Sequence, residues 1–342
     1  MEDLAILYLT LLPMVLGAAV IEGVWLARKR AEPYDWRSSA CSMADLAGRR
    51  VLGFIPYALA APWLDWVWQH RLFTQSLDSI WSVLLLFVGL EFFYYWYHRA
   101  AHTVRWFWAA HSVHHSPNQL NLSAAYRLGW FGRFTGTSLF FTPLVLLGFT
   151  PTEVLAALFL NLLYQFWLHA DWIPRLGWLE HVLNTPSSHR VHHARNPEYL
   201  DANFGGVLIV FDRLFGTYVV ERKDVPCDFG LVAPEVSSRN PIALNVMPWL
   251  GLLKDLRSAR SLRDVCMYLF GPPGWRPDGA GLTSAELRRR AGLANAPAAE
   301  PAMMGIRLSC SSPPPGPARG RGQVEASKDV RSPVTPSPSL SL

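Results

Sequence analysis

Apolar residues crowd the first 170 positions of the 342-residue chain and thin out after about residue 220. The first run, Leu4 to Leu26, would reach about 34 Å as a helix, which is long enough to cross a hydrocarbon core. Arg28-Lys29-Arg30 follows it at once. Charge after a long apolar stretch, and not before a short one, predicts a retained anchor whose basic end faces the cytoplasm. A second run, Val51 to Trp68, contains Pro56 and Pro62 and predicts a kinked or shallow span. A third, from about Ile80 to Tyr97, ends in His98-Arg99. After a polar, histidine-rich stretch to about Arg133, Thr135 to Phe149 and Thr152 to His169 predict two apolar helices joined at Thr150-Pro151, as a hairpin or re-entrant element. Counting spans from the basic first loop puts every histidine-rich segment on the cytoplasmic side.

From Trp172 to about Leu282 the pattern is mixed, with a strand-like or helical piece at Gly205–Val210, and predicts a cytoplasmic cap. From about residue 294 the chain is rich in Pro, Ser, Ala and Gly and predicts a disordered, low-complexity tail. The expected fold is an all-α membrane protein: transmembrane helices carrying a mostly helical, histidine-rich metal-binding cap. Its expected parts are N-terminal membrane helices (1–74), a catalytic region (75–282) and the tail (294–342).

Composition agrees with a bilayer partner. Mean hydropathy is +0.14 with 17% charged residues, and the 15 Trp, 18 Phe and 11 Tyr suit a membrane–water boundary. The net charge of +5 is spread over short groups, which argues against nucleic acid as a partner. Four cysteines lie far apart with no CxxC pair and read as ordinary thiols.

Histidine changes the picture. Eight of the 11 fall into His98-x-x-x-His102, His111-x-x-His114-His115 and His189-x-x-His192-His193. Residues three or four apart share a helical face, so each motif aims imidazoles at a common point. His169, ending an apolar helix at the same level, is a ninth candidate ligand; His70 and His181 lie outside any ligand spacing. One zinc takes three or four ligands, too few for this set. Two five- or six-coordinate irons with room for O2 fit best, and two zincs come next. Arg99-Ala100-Ala101 between His98 and His102 excludes the HExxH metalloprotease motif. Glu91, two turns before His98, is a candidate to orient a ligand or to bond a neighbouring helix. Arg99 and Arg190, inside the motifs, are candidates to meet lipid headgroups or acids, or simply to be surface cations. The aromatic run Phe92–Tyr97 predicts an interfacial belt, with an acyl tunnel as the alternative. A zinc hydrolase and a metal transporter are the competing function classes.

The motif order, with Asn184-Thr-Pro-Ser, Asn203-Phe-Gly and Phe211-Asp-Arg-Leu-Phe-Gly-Thr217, resembles the fatty acid hydroxylase / sterol desaturase superfamily from about Glu91 to Gly216. Tyr94-Tyr-Trp-Tyr-His98, Asn161-Leu-Leu-Tyr-Gln-Phe-Trp167 and Gly271-Pro-Pro-Gly-Trp275 look most like its alkylglycerol monooxygenase-like members. The resemblance implies two Fe ions held by His98, His102, His111, His114, His115, His169, His189, His192 and His193. It implies O2 as co-substrate, hydroxylation or desaturation of an aliphatic carbon of a membrane lipid, and, in the alkylglycerol branch, O-alkyl cleavage of ether lipids. A reduced pterin (tetrahydrobiopterin) or an electron-donor protein would supply electrons. The membrane implied is the endoplasmic reticulum or a bacterial inner membrane.

Overall fold

A computed structural model describes residues 2–52, 54–232 and 239–293. The expected tail, 294–342, lies outside them. Among the described residues the fold is helical, with two isolated β-bridges and no strand. Twelve α-helices follow in order: α1 (Glu2–Lys29), α2 (Trp36–Leu52), α3 (Phe54–Gln69), α4 (Ile80–Thr103), α5 (Arg105–His111), α6 (Thr142–Leu146), α7 (Pro151–Leu168), α8 (Pro186–His193), α9 (Val210–Leu214), α10 (Pro241–Ser258), α11 (Leu262–Phe270) and α12 (Ser284–Arg290).

Two stretches are long and apolar enough to cross a membrane by length and composition, Thr10–Lys29 of α1 and Ile80–Thr103 of α4. Only 22% and 28% of these stretches are buried, so their apolar surface is not used up as it would be in a soluble core. α4 runs past the expected end at Tyr97 and carries both His98 and His102 in its last turns. Ser79 caps its start, accepting from the Trp81 amide. The expected helix over Thr135–Phe149 is instead broken into 3-10 turns, Gly132–Thr135 and Thr137–Phe141, and the five-residue α6. Gly136, in the left-handed region, is the break. α7 starts where Thr150-Pro151 predicts, closed by a capping box between Thr150 and Glu153. α3, α4, α6 and α7 share a core around Leu90, Leu144 and Phe149.

The hydrophobic pattern gives no sign of α2. Its buried residues Ser38, Cys41, Ser42, Asp45 and Leu46 follow helical spacing, but the face they form is largely polar. That face meets the fully buried Arg127. The guanidinium donates to the Ser38 carbonyl (2.6 Å) and hydroxyl (2.9 Å), to Ser42 Oγ (3.2 Å) and to Ser116 Oγ (2.9 Å). α1 is tied to the same region: Glu22 accepts from the Leu122 amide (2.7 Å) and Trp172 Nε1 (2.8 Å), and Tyr126 Oη donates to the Val15 carbonyl.

A buried cation that loses an acceptor retains its desolvation cost, so Ser42→Val is expected to destabilise the protein by about 2 kcal/mol. Met43→Ala, one residue along on the exposed face, is expected to change stability by less than about 0.5 kcal/mol. Equilibrium unfolding of both variants in detergent checks the difference.

Candidate metal centre

The nine imidazoles expected to be ligands meet in two groups. His98, His102, His111, His115 and His192 form one; His114, His169, His189 and His193 form the other. Within each group the candidate ligand atoms lie within 4.8 Å of one another. Eight of the nine rings are buried and His111 is half-buried. His70 and His181 are exposed and belong to neither group.

Two long helices and two short ones deliver the rings. His98 and His102 end α4, His169 follows α7 as its C-cap, and α8 carries His189, His192 and His193. α5 ends at His111, and the turn after it holds His114 and His115. The two HxxHH motifs divide alike. His111 and His115 enter the first group while His114 crosses to the second; His189 and His193 enter the second while His192 crosses to the first. Neighbouring residues on a helix point about 100° apart, so one doublet can serve two centres.

Backbone carbonyls set the ring orientations. His98 Nδ1 donates to the Phe204 carbonyl (2.8 Å), His114 Nδ1 to Arg127 (3.0 Å), His169 Nδ1 to Gln165 (3.0 Å) and His192 Nδ1 to Ala202 (2.9 Å). A carbonyl can only accept, so each of these Nδ1 atoms carries the proton, and a neutral ring then presents Nε2 as a bare lone pair. His114 Nε2 and His169 Nε2 face each other at 3.5 Å with no proton to share. The other facing Nε2 pairs are His98–His111 (3.2 Å), His169–His189 (3.2 Å) and His189–His193 (3.1 Å). Two nitrogens each about 2.1 Å from one metal ion would sit about 3.0 Å apart at 90° and about 3.4 Å apart at 109°. The separations of 3.1 and 3.2 Å fall in that range, and the 3.5 Å pair lies at its upper edge. Nε2 of His102, His115 and His192 has no hydrogen-bond partner among the described residues, as expected of atoms kept for a cation. The site fits two metal ions, with nitrogen as its only donor.

Burial keeps the rings neutral. It pulls His114 down to about 4 against the opposing hydrogen bond to the Arg127 carbonyl, and it holds His115, His189, His192 and His193 well below the ordinary imidazole range.

Sequence reasoning missed what holds those carbonyls. Asp212 is fully buried; its Oδ1 accepts from the Phe204 amide and its Oδ2 from the Gly205 amide, both at 2.7 Å. Thr217 Oγ1 also donates to Oδ1 (2.7 Å), leaving Tyr95 Oη to donate to Thr217 (3.1 Å) and Arg99 Nη1 to donate to Tyr95 (3.1 Å). Asn203, at φ 57°, donates to the Ser188 and Val219 carbonyls and accepts from the Val219 amide. The only sign of this in the chain was the family-like strings around Asn203 and Phe211–Thr217. Burial lifts Asp212 to about 6.

Glu91 and Arg190 each take one of their expected roles, bonding a neighbouring helix and meeting an acid. Glu91 touches no histidine; it accepts from the Val207 and Leu208 amides (2.7 and 2.8 Å) and from Asn161, binding α7 and the 205–208 loop to α4. That loop runs close to α7: a Cβ on Gly206 would lie 2.3 Å from Asn161 Nδ2. Of Gly205–Val210, Leu208 forms an isolated bridge with Leu183 and Val210 opens α9, while the Gly205, Val207 and Leu208 amides serve carboxylates. Arg190 is turned inward, paired bidentately with Glu221 at 2.7 Å and donating to the Asp171 and Ile173 carbonyls. Arg99, instead of meeting headgroups, leads through Tyr95 to Asp212 and packs over Trp96. The aromatic run is no exposed belt: Tyr94 and Tyr95 are buried, and Tyr95 stacks on Phe215.

Two outcomes follow from this geometry. Asp212→Asn offers one acceptor oxygen where two are used, so bound metal is expected to fall at least about threefold while helix content holds, as read by elemental analysis and circular dichroism. The depressed imidazoles of the metal-stripped protein bind fewer protons folded than unfolded between about pH 6.5 and about pH 4. Its stability is therefore expected to be full above that window and to fall as the pH drops through it, measured by unfolding after chelation.

Residues 83–217 match the family model described as fatty acid hydroxylase. Alkylglycerol monooxygenase of Homo sapiens is 40% identical over 214 residues, covering 62% of this chain and 47% of that protein. The protein of the same name from Xenopus tropicalis is 38% identical over the same shares. Ornithine lipid hydroxylase of Rhizobium tropici is 30% identical over 155 residues, 44% of this chain and 45% of that protein. The chain thus spans about half the length of the curated relatives it matches. No solved structure matches it. Residues 83–217, which hold all nine clustered histidines, are thus similar to the fatty acid hydroxylase family, and the chain resembles alkylglycerol monooxygenases over 62% of its length.

Proposed function

We propose that the chain is an integral-membrane di-iron oxidoreductase that uses O2 to hydroxylate an aliphatic lipid carbon, with O-alkyl cleavage of an ether lipid as its reaction. Residues 75–282 are the catalytic region, fed by a membrane lipid and by electrons from a reduced pterin or a donor protein. One observation carries this reading: nine imidazoles in two groups, with four Nδ1 atoms tied to carbonyls so that bare Nε2 lone pairs converge. The relatives named as monooxygenases and lipid hydroxylases support the reaction class. The apolar, little-buried stretches of α1 and α4 support a membrane location, and the basic end of α1 supports a cytoplasmic site.

Iron bound there would supply the oxidising power that an unactivated C–H bond demands and no side chain possesses. The rings bind without adding negative charge, the carbonyls fix their angles, and the burial of eight of them keeps bulk water away. Neither group contains a carboxylate, and Asp201, 3.8 Å from His102, faces its Nδ1 and not the unpartnered Nε2, which argues against a zinc hydrolase with a general base at the metals. The rings gather at the ends of α4 and α7 and not at mid-span, where a transporter holds its cargo.

Elemental analysis of the detergent-purified protein is expected to give two irons per chain. His192→Ala is expected to lose iron and at least about a hundredfold of turnover, whereas His70→Ala retains both. Conversion of a labelled alkylglycerol to fatty aldehyde by the wild type, and not by His114→Ala, identifies the substrate class. One zinc per chain, or full turnover by His192→Ala, would refute the reading.

A further inference from the structure

The rings of the first group are not oriented independently of one another. Three of them lean on one short segment. His192 Nδ1 donates to the Ala202 carbonyl (2.9 Å), His98 Nδ1 donates to the Phe204 carbonyl (2.8 Å), and His102 Nδ1 faces Asp201 Oδ1 at 3.8 Å. The first two partners are neutral, as are the Arg127 and Gln165 carbonyls that serve His114 and His169 in the second group. The third is a carboxylate. Among the described residues, no other clustered histidine has one at ion-pair distance. Buried His102 Nε2 has no hydrogen-bond partner. A neutral ring that offers Nε2 to a cation keeps its proton on Nδ1, the side that Asp201 faces.

The segment is fixed from two directions. Asp201 lies at φ 52° and Asn203 at φ 57°, in the left-handed region. Asp and Asn enter that region more readily than other residues with a side chain, and here it turns a carboxylate and two carbonyls toward one group of rings. α12 holds the same segment by a second route. Its buried Arg288 donates to the Leu200 carbonyl. Burial opposes a charge on Asp201, while Ser284 and Arg288 of α12 and Arg99 of α4 support it. α12 lies beyond the stretch 83–217 that carries all nine rings.

We propose that Asp201 is the positioning residue of His102, held in place by α12, and that its charge strengthens the hold of the first histidine group on a metal ion. The inference rests on the two-metal reading above. At 3.8 Å the contact exceeds a hydrogen bond and acts through the charge of the carboxylate. A negative charge behind Nδ1–H fixes the tautomer and makes Nε2 a stronger donor than a neutral carbonyl does. The two centres are therefore unlike, although imidazole is the only ligand in both.

The test is anaerobic titration of the chelator-stripped, detergent-solubilised full chain with ferrous iron, read by competition with a chelator and by Mössbauer spectroscopy. The wild type is expected to bind two ions that give two distinguishable quadrupole doublets. Asp201→Asn keeps the side-chain shape and tolerates the left-handed backbone, but removes the charge. It is expected to weaken one ion by at least about tenfold and to shift one doublet, with the other ion and the helix content unchanged. Arg288→Met removes the α12 contact without altering the carboxylate, and is expected to weaken the same ion. Should Asp201→Asn lose helix content, the Arg288→Met titration decides. Two ions bound as tightly by the variants as by the wild type overturn the proposal. So does equal weakening of both ions, which a merely structural role of the segment would give. A wild type that binds fewer than two ions overturns the two-metal reading itself, before any variant is compared.

Discussion

Bare imidazole nitrogens facing one another in a space without protons are the constraint around which this structure is organised. His114 and His169 show it most plainly, because both have committed Nδ1–H to a carbonyl and neither can donate across their 3.5 Å gap. Without a cation such an arrangement is repulsive, so the rest of the fold must hold the rings against their mutual repulsion. It does so through the backbone. The carbonyls of Ala202, Phe204, Gln165 and Arg127 are fixed points, and each belongs to a segment tied down by other polar contacts.

Those contacts reach far from the histidines. Asp212 gathers the Phe204 and Gly205 amides, and Glu91 gathers the next two amides of the same loop. Arg127 is held by hydroxyls and a carbonyl of α2 and by Ser116, while α1 grips the adjoining Leu122 through Glu22. Helices that the sequence would assign to anchoring therefore also position a ring. Buried polar groups of this kind cost desolvation unless fully partnered, and when partnered they specify one arrangement.

The split of each HxxHH motif follows from the same geometry. One helical turn cannot aim three rings at one point, but it can aim two at one centre and the third at its neighbour. Repeating the motif on two segments that face each other supplies both centres, with α4 completing the first and His169 the second.

Much of this was legible in the chain. Apolar run length placed α1 and α4, the Thr150-Pro151 pair placed the start of α7, and histidine spacing singled out eight of the nine rings that meet, His169 joining them by its place at the end of an apolar helix, because helical periodicity is a local property. α2 was not legible: its buried face is largely polar, with Ser38, Ser42 and Asp45 beside Cys41 and Leu46, and a polar face looks exposed until the partner that satisfies it, here Arg127 and the 127–130 turn, is known. Asp212 was equally opaque, and Glu91 was legible as a bond to a neighbouring helix but not as the acceptor of the 207 and 208 amides, since a carboxylate that receives backbone amides has no spacing rule linking it to them. The sequence determined which side chains could bind metal; only the tertiary structure decided which ring joins which centre and which nitrogen each presents, because both depend on carbonyls brought from distant segments.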